Sequence, residues 1–254
     1  DRTTHIWISH EHPDHFSIMF FKKFENKIKE KNIEILFQTT TDKRVEGFLR
    51  ANKFCLKILK PNTWTNLSDD FSVLNFKDGF YDSGLAINVC GKKFLNLNDC
   101  EIKTKEKCKD LLNLVGECDV LISQFSYAAW KGGIDNLHWR KKAAKEKLDT
   151  LALQVNQFKP KLLVPFASYV YFSNISNFYL NDSANKPIDV IDYFKNNSKV
   201  NVKVMKPFEI IDNFNKHTYS NDLSLNFWDE LYRRMDGITR NSFDKVDFLE
   251  LDKS

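Results

Sequence analysis

The chain has 254 residues, 42% hydrophobic and 28% charged, which is enough apolar material to bury one sizeable core and points to a single domain over 1–254. Its formal net charge is +4, from 38 Lys and Arg against 34 Asp and Glu, and the excess is scattered. No nucleic-acid-binding tail is expected. No apolar run has the length of a membrane span and no signal-peptide pattern opens the chain, so no membrane association is expected. The five cysteines (Cys55, Cys90, Cys100, Cys108, Cys118) form an odd set without Cys-x-x-Cys spacing. That argues against a disulfide framework or a zinc knuckle and makes a reducing cytoplasm the expected compartment.

In chain order, residues 4–9 alternate β-branched and aromatic side chains and predict a strand. Over 17–31, Ile18, Phe20, Phe21, Phe24 and Ile28 recur at helical spacing with lysines between them, the pattern of an amphipathic helix. A strand over 33–38, a helix over 41–51 and a strand over 55–60 follow, up to the break at Pro61-Asn62. Short β runs come next at 71–76, 85–89 and 93–97, the last two joined at Cys90-Gly91 by a tight hairpin turn. Helix and strand then alternate: helix 105–115, strand 119–124, a long helix 135–158, strand 161–166, helix 188–195, strand 200–205 and helix 223–235. A polar tail occupies 236–254. This order predicts an α/β protein of layered sheets with helices outside.

Six histidines occur in the chain, and three of them fall with an aspartate inside six residues, at His10, His12, Asp14 and His15. In an extended loop the alternating His10 and His12 point to one side and can grip one cation. Asp14 and His15, beyond the Pro13 bend, can grip a second. Two adjacent cations acidify a bound water and polarise a substrate oxygen. Further ligands are expected at other strand ends. Asp99 ends the β hairpin, where a carboxylate can bridge two cations; the alternative is a turn residue capping the next helix. Asp82 precedes the 85–89 strand, with ordinary turn chemistry in Asp82-Ser83-Gly84 as its alternative.

The Ser9-His10-x-His12-x-Asp14-His15 loop resembles the first signature of the metallo-β-lactamase superfamily, and Asp99 falls where that family keeps its bridging aspartate. Within the superfamily the chain is most similar to the non-Rieske, C-terminal part of the CMP-N-acetylneuraminate hydroxylases and their bacterial relatives. The similarity is carried further by Leu95-Asn96-Leu97-Asn98-Asp99-Cys100, Pro165-Phe166-Ala167-Ser168-Tyr169 and the long basic helix after Lys131-Gly132-Gly133, and it covers 4–207. The resemblance implies an αββα sandwich, here lacking its first strands. The chain opens at Asp1 without a methionine and reaches the histidine loop within fifteen residues, so upstream sequence is expected.

The resemblance also implies a ligand set. His10, His12 and Asp82 hold the first metal, with Asp82 in place of a third histidine. Asp14, His15 and Asn174 hold the second, with Asn174 in Phe172-Ser173-Asn174-Ile175 where a last histidine is usual, and Asp99 bridges the two. His138 and His217 follow no suitable strand and are read as ordinary. Carboxylate and amide oxygens in place of imidazoles harden the site, favouring iron or manganese over zinc.

Three functions are expected in order. The first is a di-iron oxygenase acting on a small anionic, sugar-nucleotide-like substrate. It needs an electron donor, and the Cys-x-His and Cys-x-x-His pairs of a Rieske cluster do not occur in the chain, so an upstream Rieske domain or a partner protein is implied. The second is a hydrolase of an ester, thioester, lactone or phosphodiester, with Asp14 or Asp99 orienting the nucleophile and zinc or manganese as alternative metals. The third is a scaffold without turnover.

Lys131, Gly132 and Gly133 precede a helix N-terminus and are candidates to bind a substrate anion, with a flexible loop as the alternative. The run Arg140, Lys141, Lys142, Lys145, Lys147 reads as a solvated helix face. Tyr169 is a candidate substrate contact, although Tyr169, Tyr171, Phe172, Phe178 and Tyr179 are more simply read as core packing.

Overall fold

A computed structural model describes residues 3–197, 200–211 and 219–238; His217 and the tail from 239 lie outside the described residues. The elements in order are β1 (His5–Ile8), α1 (Ile18–Glu30), β2 (Glu34–Gln38), α2 (Arg44–Ala51), β3 (Leu56–Leu59), β4 (Trp64–Ser68), β5 (Phe71–Asp78), β6 (Asp82–Val89), β7 (Lys92–Asn98) and α3 (Lys105–Val115). Then follow β8 (Val120–Ser123), α4 (Leu137–Phe158), β9 (Leu162–Pro165), a 3-10 turn (Phe178–Asp182), α5 (Pro187–Asn197), β10 (Asn201–Val202) and α6 (Asp222–Asp236). β1, β2 and β3 form a small sheet; the larger has the order β10-β9-β8-β7-β6-β5-β4.

The side-chain alternation of the strands sets the layers. On β2, Ile35 and Phe37 join Phe21 and Ile28 of α1 and Val45 and Leu49 of α2 in one core. Leu36, between them, turns the other way, and with Leu59 it packs on Val73 and Leu85 of the larger sheet. On that sheet's far face, Leu74, Ala86, Leu95 and Leu121 meet Cys108 and Leu111 of α3, Leu151 and Val155 of α4, and Phe194 of α5. The layers therefore run helix, sheet, sheet, helix, the αββα arrangement that the resemblance implies.

Local chemistry fixes the boundaries. The Ser17 side chain caps α1 by accepting from the Phe20 N–H, and Thr104 caps α3 by accepting from Lys107. Cys90 and Gly91 both have positive φ, 49° and 72°, and Val89 pairs with Lys92. This is the two-residue turn that needs left-handed backbone at both centres. Two elements differ from expectation. β4 is an additional edge strand in which exposed Trp64, Asn66 and Ser68 alternate with half-buried Thr65 and Leu67, so it lacks an apolar stripe. The 200–205 strand shrinks to Asn201–Val202 because the Val204 N–H goes to Asn221 Oδ1.

Topology brings several strand ends to one edge of the larger sheet. β7, β8 and β9 are parallel and β6 is antiparallel to β7, so the start of β6 lies beside the C-terminal ends of the other three. Gly84 makes this packing possible, since a Cβ there would lie 2.2 Å from the Phe76 ring and 2.8 Å from the Asn96 carbonyl oxygen. Gly84→Ala is expected to destabilise the fold by ~1–3 kcal/mol through overpacking, checked by urea denaturation; an unchanged midpoint would contradict this packing.

Candidate metal centre

The histidine loop leaves the C-terminal end of β1, and its first residue is held on three sides. The Ser9 carbonyl accepts from Gln38 Nε2, at the end of β2, and from the Ser83 hydroxyl on β6, each at 2.7 Å. Gln38 Nε2 also donates to the Tyr81 carbonyl at 2.6 Å. Ser9 Oγ lies 3.0 Å from His10 Nδ1 and 3.3 Å from His15 Nδ1. If both Nδ1–H groups donate to this hydroxyl oxygen, neutral His10 and His15 carry their lone pairs at Nε2, where they would face a bound cation.

Two groups of side chains converge there, His10 with His12 and Asp82, and His10 with His15 and Asp99, the ligand atoms of each lying within 4.8 Å of one another. His10 Nε2 is 2.8 Å from His12 Nδ1, 3.6 Å from Asp82 Oδ1 and 4.0 Å from Asp99 Oδ2. His15 Nε2 is 3.1 Å from Asp99 Oδ2 and 3.4 Å from Asp14 Oδ2. Metal–ligand bonds of about 2.0–2.2 Å place neighbouring ligands about 3–3.5 Å apart, so the donor set fits a pair of cations. Two nitrogen lone pairs 2.8 Å apart repel unless a proton or a cation lies between them.

The two aspartates take strand-end positions. Asp82 opens β6, and the preceding turn has its positive φ at Gly79, so Asp82-Ser83-Gly84 is strand, not turn. Asp99 follows Asn98, which takes a left-handed φ of 49° at the end of β7, and α3 is capped by Thr104 rather than by Asp99. Asp99 Oδ1 accepts from Gln124 Nε2 at 2.6 Å, and Gln124 Oε1 accepts from Lys147 Nζ at 2.6 Å.

The remaining candidates are placed differently. Asn174 Oδ1 accepts from the backbone N–H and the hydroxyl of Ser176, at 2.9 and 2.7 Å; both its lone pairs are engaged, and binding a metal would require opening this turn. The Tyr169 hydroxyl donates to the Pro165 carbonyl at 3.0 Å, and its ring stacks on Trp228 at 4.0 Å, a packing role. Lys131 lines a cleft of about 180 Å³ with Gln124, Tyr127, Trp139 and Lys147. The Gly133 N–H donates to Asn136 Oδ1 and the Gly132 and Gly133 carbonyls accept from Tyr179 and Arg140, so the glycine pair is latched rather than loose. His138 shows no placement at this centre.

Sequence reasoning quoted Ser9, Ser83 and Lys147 without giving them a part in this site, and did not single out Gln38 or Gln124. Gln124 sits just past β8 as Asp99 sits just past β7, a position found by widening the search from acids and histidines to amides. The solvated reading of the basic run holds for Lys141, Lys142 and Lys145, which are exposed. It fails for Arg140, only 1% exposed, and for half-buried Lys147. Their separation of seven residues puts them on one helix face.

Electrostatics follow from this packing. Burial, reinforced by His15 and His12, lowers the pKa of His10 to about 4, keeping it a neutral imidazole. The hydrogen bond between His15 and Asp99 raises His15 and lowers Asp99. Burial, and then the Asp99 carboxylate, raises Asp82. In metal-stripped protein the unfolded chain protonates His10 near 6.5 and the folded chain only near 4, so His10 subtracts stability as pH falls through that window. The His15 contribution is full below its unfolded pKa and is lost as pH rises through its folded one; the Asp99 contribution is lost only as pH falls through its own lowered pKa. Urea denaturation of chelated protein at stepped pH should show a loss of stability from about 6.5 towards 4 that His10→Gln reduces. An identical slope in that variant would contradict the assignment.

No family model matches the chain. Among curated proteins it is 24% identical over 197 residues to the cytidine monophosphate-N-acetylneuraminic acid hydroxylase of Danio rerio, covering 71% of this chain and 32% of that one. It is 24% identical over 215 residues to the inactive human counterpart, covering 77% and 41%. The chain thus spans about a third of the length of the first of these relatives and two fifths of the second. Among solved structures it resembles Igni18, a metallo hydrolase from Ignicoccus hospitalis, with TM-score 0.57, 13% identity and coverage of 83% and 79%. It also resembles CmlA, a diiron beta-hydroxylase from Streptomyces venezuelae, with TM-score 0.51, 11% identity and coverage of 94% and 42%. A third is the metallo-beta-lactamase fold protein YhfI from Bacillus subtilis, with TM-score 0.51, 11% identity and coverage of 80% and 74%. The fold of this chain is the metallo-β-lactamase fold.

Proposed function

We propose that the chain is the catalytic part of a dinuclear metalloenzyme, an iron-dependent oxygenase acting on a small anionic substrate of the sugar-nucleotide kind. The observation that carries this reading is the convergence of His10, His12 and His15 with Asp82 and Asp99 from three separate strand ends. His10, His12 and Asp82 would hold one cation, His15 and Asp14 the other, and Asp99 would lie between them. Asn174 would join the second only by leaving Ser176. Two bound iron ions supply the capacity to activate dioxygen, and a donor set with three carboxylates among six groups suits iron better than a histidine-rich one does.

The chain's own residues do the rest. Ser9 fixes the rotation of two imidazoles, and Asp99 offers negative charge between the cations. His15, with its raised pKa, can hold a proton at Nε2 when no cation is bound there. Lys131 and Lys147 line the adjoining cleft and present positive charge to an anionic substrate. The likeness to the hydroxylases of cytidine monophosphate-N-acetylneuraminic acid supports the substrate class, and CmlA supports diiron hydroxylation on this fold. An electron donor, an upstream Rieske domain or a separate protein, belongs to the same reading. Among the described residues no helix is long and apolar enough to cross a membrane; a cytoplasmic location is proposed with it.

The second reading, a metal-dependent hydrolase, is favoured by the more even coverage of Igni18. Here a water acidified between the metals would be oriented by Asp14 or Asp99. Elemental analysis of anaerobically purified protein separates the readings. About two iron atoms per chain, with reductant-dependent oxygen uptake on adding CMP-N-acetylneuraminate, is the expected result, and His12→Ala or Asp82→Asn should lower the metal to roughly one per chain. Zinc or manganese with esterase or phosphodiesterase turnover would establish the hydrolase. Absence of any metal would leave a scaffold and overturn both.

A further inference from the structure

We infer that Gln124, locked by Lys147, is a positioning residue that holds one oxygen of the Asp99 carboxylate so that the other is presented to the metals. The inference rests on the metal-binding reading above and gives Gln124 and Lys147 a part in it beyond lining the cleft.

A carboxamide can face a carboxylate in either of two orientations, N–H or carbonyl oxygen first. An ammonium has donors only, so Lys147 Nζ, 2.6 Å from Gln124 Oε1, fixes the oxygen end. The N–H end must then point at Asp99, where Nε2 lies 2.6 Å from Oδ1. With Oδ1 occupied, Oδ2 is left facing the histidines, 3.1 Å from His15 Nε2 and 4.0 Å from His10 Nε2. The lysine charge acts through a neutral amide, so Asp99 is oriented from this side without a direct ion pair to Lys147 that would compete with metal for its charge.

The helix supplies the means. Arg140, Lys147 and Gln154 are spaced by seven along α4 and lie on its inward side. Gln154 accepts from the Ser123 hydroxyl at 2.8 Å and donates to the Ile102 carbonyl at 2.9 Å. Ser123 immediately precedes Gln124, so the strand end that carries Gln124 is pinned to the same helix one turn pair further along. Burial lowers the pKa of the Lys147 ammonium, and an ammonium is drawn into such a place only with a hydrogen-bond acceptor to meet it.

The test uses cobalt(II) as the probe metal on the stripped full chain, followed by chelator competition and by the visible ligand-field spectrum. Gln124→Leu and Lys147→Met are expected to weaken cobalt binding about 10- to 100-fold and to alter the spectrum. Lys147→Arg, which keeps a donor, should restore both. The double variant should bind no more weakly than Gln124→Leu alone, because the lysine acts through the amide. If Gln124→Leu fails to fold by circular dichroism, Gln124→Glu, of equal shape but lacking the N–H, is expected to weaken binding likewise. Wild-type affinity and spectrum in Lys147→Met and in either Gln124 variant would overturn the inference while leaving the metal site standing. Loss in Lys147→Arg equal to that in Lys147→Met would overturn it too. Failure of the wild-type chain to bind cobalt would instead bring down the metal reading on which it rests.

Discussion

The structure of this site depends on the hydrogen bonds of one residue, Ser9. Its carbonyl is held by Gln38 from the small sheet and Ser83 from the large one, so the two sheets are tied together directly beneath the histidine loop. Its hydroxyl meets the Nδ1 atoms of His10 and His15. The same residue thus sets the spacing between the layers and the rotation of two imidazoles. Buried polar groups of this kind are costly when unpaired, and here the Ser9 carbonyl and hydroxyl both have partners.

The sandwich explains why acids arrive at the same place. The antiparallel step from β6 to β7 and the parallel steps from β7 to β9 leave the start of one strand and the ends of three others along a single edge. A register that pairs Leu85 with Asn96, continued to that edge, brings Asp82 up beside Asp99. The large core on α3, α4 and α5 makes this edge rigid. The helix that closes it contributes more than apolar cover, because Arg140, Lys147 and Gln154 reach from its inner face to the loops at the strand ends. Arg140 holds Asp182 on the 3-10 turn and the carbonyls of Gly133 and Ile134, so one buried guanidinium ties the two segments together.

Much of this was legible in the sequence, for identifiable reasons. Alternating or continuous apolar runs gave the strands from β1 to β3 and β5 to β9, and helical spacing gave the six α-helices of the described residues to within a few residues. The dense loop from His10 to His15, followed by Asp82 and Asp99 at strand ends, picked out groups that the fold brings together. What escaped was information carried by pairing rather than by residue type. β4 earns its place as an edge strand by hydrogen bonding, with no apolar stripe to announce it. Gln124 and Ser9 are ordinary polar residues until their partners are known. Lys147 hid in a basic run whose exposed members, Lys141, Lys142 and Lys145, obey the usual rule for such runs. Asn174 comes from its position in a family pattern and Tyr169 from a group of aromatics that could line a pocket, and local hydrogen bonds to Ser176 and Pro165 engage their polar atoms.

Three imidazoles from one loop, two facing aspartates and a supporting amide make a pocket of donors with more oxygen character than a zinc site of histidines. The central claim is that these donors hold two cations side by side. Anomalous diffraction from crystals of metal-loaded protein, recorded at the absorption edge of the bound metal, addresses this directly. The account predicts two peaks about 3.5–4 Å apart, one ringed by His10, His12 and Asp82, the other by His15 and Asp14, with Asp99 touching both. A single peak, or metal bound away from these six strand-end and loop positions, would contradict it.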